Sequence, residues 1–450
     1  MARKHRVSIL LMLASIGISI AWGLALRLGA SGQTIDFQGL YYGTKCLMRY
    51  CDPYDARALE HVYDAGKGAG PSVSIKDRTI VTLFVNLPTS FLLIAPLAVL
   101  PWGPAQALWL ALMAGSLFLA AYFMWEFGAD SSPGVSLLLI CLVLANCEVL
   151  FGTANAAGIV ISFCIIAVWC FLHDQFALAG VLCLAISLVI KPHDTGFVWL
   201  YFLLAGGIHR KRSLQTLAVT AVLGSAAIIW VSHVAPNWLQ EMRSNLASIA
   251  TQGGLNAPGV ASLTGRTAGM VISLQAAFSV IRDDAHFYNP MSYLVSGALL
   301  LAWAIKTLRT RFTQEGAWLA LAAVSALSLL PVYHRPYDAK LLLLAVPACA
   351  MLWAAGGMRR WIALGVTSAG IISTSDIPLA ILVTVTKNLH FSTTTLTGKL
   401  MTILLLRPTP LILLAMGCFY LWVYVRYDPD RVSTLEHDNA TERPPAPATT

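Results

Sequence analysis

Apolar runs recur along this chain from Val7 to about residue 425, many of them near the roughly 20 residues that one helical crossing of a bilayer requires. No other feature restricts the fold as much. Hydrophobic residues make up 57% of the 450, charged ones only 12%, and the mean hydropathy is +0.69, which excludes a soluble fold. The alternating pattern of a membrane β-barrel is absent, so the chain reads as an all-α multi-pass membrane protein. The first run, Val7 to about Leu26, follows Arg3, Lys4 and Arg6. It is long for a signal peptide and lacks a small-x-small cleavage site, so it reads as an uncleaved first span.

Basic residues cluster at the N-terminus, at HRKR (209–212), at KTLRTR (306–311), at Arg359–Arg360 and at Arg426. Their placement at span ends gives no reason to expect nucleic acid, despite the net charge of +8. The positive-inside rule puts them on the cytoplasmic side. The resulting map has residues 1–27 as cytoplasmic N-terminus and first span, and 28–81 as a long outside loop. Spans follow over 82–233, a second outside loop over 234–290, and further spans over 291–425, the last of them about 402–425. A Pro/Ala/Thr-rich tail, 426–450, is left inside and reads as disordered. The expected bundle has about twelve spans. One run, either 82–100 with Asn86, Pro88 and Pro96 or 134–150 with Asn146 and Glu148, is expected to be short, broken or re-entrant. No inverted repeat of the transporter kind, P-loop or dinucleotide fingerprint is evident.

Polar residues are rare enough to be informative. The stretch TIDFQGLYYGTKCLMRYCDPYDARALEHVY (34–63) places Asp36, Tyr41 and Tyr42 close beyond the first span. There a carboxylate can be partly desolvated and made more basic. The plain alternative is a solvated loop aspartate. In CDPYDARALEHVY, Asp52 suits a helix N-cap and Pro53 the first helical position, with Asp55 following. Ala56, Leu59 and Tyr63 would share one face of a short amphipathic helix on the membrane surface. Of the nine cysteines only Cys46 and Cys51 fall in an outside loop, where a short disulfide can form. FGTANAAG (151–158) breaks two apolar runs with Thr153 and Asn155, either as a plain turn or as part of a site.

KPHD (191–194) brings Lys191 and His193 to a junction of two runs, and VYHRPYDAK (332–340) brings His334 and Arg335 to another. A snorkelling lysine and a proline-led helix start are the bland readings. By the map both junctions share a face with Asp36, and ionisable groups at such positions are functional candidates. No metal-ligand spacing stands out, and the lone acidic pair Asp283–Asp284 is weak evidence for an ion. The loop residues 251–258 and 282–290 are candidates to cover an acceptor.

Taken in order, the outside DF…YY and DPYD, the Asn-containing turn, and AGVLCLAISLVIKP (179–192) resemble glycosyltransferase family 87 over about residues 7–425. The resemblance implies a GT-C-like bundle and transfer of a sugar, by expectation mannose, from a polyprenyl-phosphate donor to a lipid or glycan hydroxyl. It implies Asp36 as the catalytic residue and carries over Lys191 and, at the later turn, His334. The family's Gly-Gln-x-Asn turn stands here as Gly152-Thr153-Ala154-Asn155, without the glutamine. A phosphate leaves as a stabilised anion, so one base and several cations suffice. Asp36 is the candidate base. Lys191, His193, His334 and Arg335 are the candidate phosphate ligands, with Tyr41, Tyr42, Asp52, Asp55 and Asn155 framing the site. No cofactor is expected beyond the donor, and a divalent-metal requirement stays open. The implied setting is the plasma (inner) membrane, with both termini cytoplasmic and the site on the outer face. A lipid or solute transporter is the alternative.

Overall fold

The computed structural model describes residues 2–25, 34–67, 75–251, 256–259, 271–386, 391 and 394–428. These are helical with no strand among them. Helix α1 (Ala2–Ala25) is followed by α2 (Ile35–Met48), α3 (Ala56–Lys67), α4 (Ile75–Thr82) and α5 (Ser90–Ala98). Next come α6 (Trp102–Ala129), α7 (Pro133–Leu144), α8 (Glu148–Thr153), α9 (Ala157–Leu172), α10 (Ala177–Ile190), α11 (Pro192–Ala205), α12 (Gly207–Val234) and α13 (Trp238–Ala250). The later elements are α14 (Leu274–Ile281), α15 (Ala285–Arg309), α16 (Gln314–Leu327) and a 3-10 segment, Asp338–Ala345, continuing into α17 (Val346–Ala355). They end with α18 (Gly357–Ser373), α19 (Asp376–Thr386), α20 (Leu396–Met401) and α21 (Thr409–Arg426).

Among the described residues, seven helices are long and apolar enough to cross a membrane, or eight if the pair Gly357–Ser373 and Asp376–Val385, bent by 71°, counts as one span. The expectation of about twelve spans counted apolar runs, and several of those runs are cut short by their own breakers. The 82–100 run yields only α5, nine residues with Pro96 inside, which at 1.5 Å per residue reaches about 14 Å. Helices α9, α10 and α11 have 16, 14 and 14 residues. The run 134–150 is interrupted at Ala145–Cys147 between α7 and α8, yet Pro133–Thr153 still counts among the seven. The last expected span, 402–425, breaks at Arg407, and its remainder, Thr409–Arg426 behind Pro408, is one of the seven.

The stretch expected as a first outside loop is mostly helix, and α2 is nearly all buried. Phe37 stacks on Trp109 with ring centroids 4.8 Å apart, and Tyr42 stacks on Trp102 at 5.9 Å. Leu59 and Tyr63 of α3 are fully buried, and the Tyr63 hydroxyl donates to Gln38 Oε1 at 3.2 Å. The apolar face of α3 therefore covers α2, where a membrane-surface role had been expected. The cap also moves. Asp52 Oδ1 accepts from Tyr54 N, whereas Asp55 Oδ1 accepts from Arg57 N, both at 2.9 Å, and α3 starts at Ala56. Cys46 and Cys51 form a disulfide. The second expected loop, 234–290, holds α13 and α14 and ends early, because α15 starts at Ala285. Asp284 Oδ1 caps that helix by accepting from His286 N, and its carboxylate pairs with Arg282 at 2.8 Å. The expected disordered tail lies outside the described residues beyond Asp428.

Contacts at the helix ends sort the bundle into two poles. At one pole His5 meets Tyr122, Arg212 pairs with Asp174, and Lys306 Nζ donates to the Tyr427 carbonyl. Helix α10 leaves this pole at Ala177 and α11 returns to it at Ala205, so Lys191 between them lies at the opposite pole. The HRKR and KTLRTR clusters thus sit at the end away from Lys191.

Candidate active site

Three chain breaks meet at the Lys191 pole, and the sequence dictates each. Pro192 occupies the first turn of α11 and forbids helical backbone at the residue before it. Lys191 is accordingly extended, at φ −141 and ψ 80, and points out of the helical register of α10. The GTAN turn ends α8 with Ala154 left-handed, at φ 54, a conformation that costs a non-glycine residue about 1–2 kcal/mol. Two tethers hold it there. Trp109 Nε1 donates to the Ala154 carbonyl at 3.0 Å, and Thr34 N donates to the Gly152 carbonyl at 2.8 Å. The third break is Pro331–Tyr337, where the Asp338 carboxylate accepts from Arg335 N at 2.8 Å.

The Thr34–Gly152 bond sets the start of α2 against the turn, so Asn155 Nδ2 donates to Asp36 Oδ2 at 2.8 Å while Asn155 Oδ1 accepts from Ala157 N at 2.9 Å. One amide thus caps α9 and holds the carboxylate. Asp36 is half-buried and lines a cavity of about 770 Å³ together with Asn155, Lys191, His193, Arg335 and Asp338. Its remaining wall includes Gly39 and Leu40 of α2, Leu246 and Ile249 of α13, and Asn256.

Lys191 Nζ lies 2.7 Å from Asp338 Oδ1 and 3.1 Å from Asp194 Oδ2. Burial alone would lower its pKa, but the two carboxylates outweigh burial and hold the ammonium above its ordinary range. Arg335 Nε donates to the Tyr333 hydroxyl, and a terminal nitrogen donates to Asn256 Oδ1 at 3.1 Å. Burial opposes its charge, and Tyr333, Tyr337 and Asp36 more than compensate. Its guanidinium therefore feels the Asp36 carboxylate. His334 is fully buried behind the wall, 3.5 Å from Asp194 Oδ1, while His193 is 43% exposed and lines the cavity.

The structure thus gathers Asp36, Asn155, Lys191, His193 and Arg335 around one space, with His334 beside it. Tyr41 and Tyr42 stay off the cavity. Tyr41 donates to the Leu100 carbonyl at 2.7 Å, and burial pushes the Tyr42 phenol up to about 12, with Tyr41 and Tyr63 adding to the rise. Asp52 and Asp55 serve the turn before α3 and do not line the cavity. Sequence reasoning missed Asp194, Tyr333 and Tyr337, included Asn256 only within the covering stretch 251–258, and took Asp338 as a helix start only. The spacing of Lys191 to Asp194, one helical turn, was the available signal.

Comparison with protein families matches the chain to glycosyltransferase family 87 over residues 84–332, more than half of its length. The chain belongs to that family and is a membrane glycosyltransferase, acting on a sugar donor and an acceptor at a membrane. Searches of curated proteins and of solved structures returned no match. The matched stretch contains Asn155, Lys191 and His193; Asp36 and His334–Arg335 flank it in sequence and join it in space.

Proposed function

We propose that the chain transfers mannose or a related sugar from a polyprenyl-phosphate donor to a lipid or glycan hydroxyl, by a single displacement with inversion. The observation that carries this reading is the Asp36 carboxylate, held by Asn155 and facing a cavity that also contains Lys191 and Arg335. A carboxylate can take the acceptor proton as the new glycosidic bond forms. Cations on the same cavity can stabilise the negative charge that grows on the departing phosphate. With the phosphate already a good leaving group, no second carboxylate is needed as acid, in contrast to glycoside hydrolysis. Lys191 is largely neutralised by its two carboxylates, so Arg335 is the stronger phosphate ligand.

The site's position supports a lipid-borne donor. It lies at one pole of the bundle rather than at mid-depth, and apolar α5, α9 and α10 surround that pole. With the basic clusters on the cytoplasmic side, the cavity opens outward and both described ends of the chain lie inside. The Cys46–Cys51 disulfide, near α2, fits an oxidising outer compartment. The test is transfer from labelled polyprenyl-phosphate mannose in reconstituted vesicles, with the anomeric configuration of the product determined by NMR. Inversion relative to the donor supports the reading. A product of retained configuration, or equal use of a soluble sugar nucleotide, overturns it.

A further inference from the structure

His193, Asp194 and His334 bring one donor atom each to within 4.8 Å of one another. His334 Nδ1 lies 3.0 Å from the Val332 carbonyl, which can only accept, so Nδ1 carries a proton. The Nε2 of His334 faces Asp194 Oδ1 at 3.5 Å. His193 Nε2 approaches the same oxygen at 3.3 Å. His334 and Asp194 are 0% and 2% exposed, and neither His334 Nε2 nor either Asp194 oxygen has a hydrogen bond of good geometry. Of the two Asp194 oxygens Lys191 reaches only Oδ2, at 3.1 Å, so a proton or a metal ion must join Oδ1 to the two imidazoles. A proton on His334 would draw the pair to a charge-assisted bond of about 2.7–2.9 Å. A metal would not, because bonds of about 2.1 Å opened by about 90–110° hold neighbouring donors about 3.0–3.4 Å apart. The 3.3 Å separation falls within the second range and the 3.5 Å one lies just beyond it, both well outside the first.

We propose that His193, Asp194 and His334 form a divalent transition-metal site whose open position faces the cavity. Two imidazoles and one carboxylate suit Zn²⁺ or Mn²⁺ better than Mg²⁺. The Val332 carbonyl on His334 Nδ1 is the outer partner that a metal-bound histidine requires. Asp194, Asp338 and Lys191 together leave one net negative charge beside the two imidazoles, which a divalent ion would offset. His193 lines the cavity that also holds Asp36 and Arg335, so an ion there presents its free position to a phosphate oxygen. That last clause rests on the transferase reading; the metal site itself does not.

The test uses the full chain in nanodiscs, stripped with a chelator and titrated with Zn²⁺, with bound metal counted by mass spectrometry. One Zn²⁺ per chain is expected, weakened at least about tenfold in His193→Ala, as for loss of a metal-site contact. His193 is partly exposed, so this variant should fold, whereas Asp194→Asn weakens a buried partner of Lys191. Equal zinc binding by His193→Ala and wild type overturns the site and leaves His334 as an imidazolium. In a second measurement, Mn²⁺-loaded wild type should broaden the ³¹P resonance of a short-chain prenyl phosphate, and Mn²⁺-treated His193→Ala should not. Absence of broadening in wild type overturns the phosphate role. Zinc binding needs neither donor nor acceptor, so failure of sugar transfer alone would count against the proposed function and leave the metal site standing.

Discussion

The Asn155 side chain performs two separable tasks, and substitutions can divide them. Its Nδ2 donates to Asp36 at 2.8 Å, and its Oδ1 accepts from Ala157 N at the start of α9. A hydrogen bond to a charged group contributes about 1.5–3 kcal/mol, and a helix cap about 1 kcal/mol. Asn155→Asp keeps the acceptor for Ala157 but sets a second carboxylate against Asp36. Asn155→Ala removes both contacts. If the amide orients the base for reaction, kcat in Asn155→Ala should fall roughly 10- to 150-fold, the rate equivalent of 1.5–3 kcal/mol. Asn155→Asp should lose activity at least as severely while keeping a Tm close to wild type. Two carboxylates at hydrogen-bond distance share one proton, so part of the Asn155→Asp activity should return on acidification. The assay is transfer of labelled sugar in vesicles, with kcat and KM separated, beside thermal denaturation of the same preparations. Full kcat in Asn155→Asp, or a loss in Asn155→Ala traced wholly to unfolding, would refute the orienting role.

Other outcomes follow from particular contacts. Lys191→Met strands two buried carboxylates and should destabilise the protein by about 3–5 kcal/mol, read as a lowered denaturation midpoint; adding Asp338→Asn should recover part of it, and no recovery would mean that the pair is not coupled. A Cβ on Gly23 would lie 2.5 Å from the Glu148 carbonyl, so Gly23→Ala should push α1 off α8 and cost about 1–3 kcal/mol, whereas an unchanged Tm would contradict this close approach. Desolvation, a hydrogen bond with Asp52 and the charges of Asp52 and Asp55 raise Glu241 on α13 to about 7. Because the folded value is raised, the contact favours the fold at low pH and is lost as pH rises through about 7. Protection factors in α13, with the intrinsic pH dependence of exchange divided out, should fall over that range in wild type and stay flat in Glu241→Gln; an equal fall in both would exclude the carboxyl pair as the cause.

Much of this arrangement could be read from residue types, because polar groups are scarce in a greasy chain and their breaks are sharp. Lys-Pro at 191–192 forces an extended residue between helices, and the GTAN turn ends a run with a donor side chain. What hydropathy could not convey was how far each run remained helical. Pro96, Ala145–Cys147 and Arg407 interrupt runs whose mean composition is uniformly apolar. Helix α2 was hidden for the opposite reason, since its Gln, Tyr and Lys residues look solvent-facing. In the fold Tyr41, Tyr42 and Gln38 are buried against α6 and α3. Asp194 was overlooked because a carboxylate one turn beyond a lysine resembles an ordinary helix pair, and the approach of His334 to it from a distant segment is not visible in the sequence.

The central claim is that Asp36 removes the acceptor proton during sugar transfer. Wild type and Asp36→Asn, reconstituted at matched amounts and supplied with labelled polyprenyl-phosphate mannose, test it most directly. Asparagine preserves the shape at 36 but cannot take a proton, so transfer should disappear while folding is retained. Transfer at the wild-type rate by folded Asp36→Asn would contradict the account.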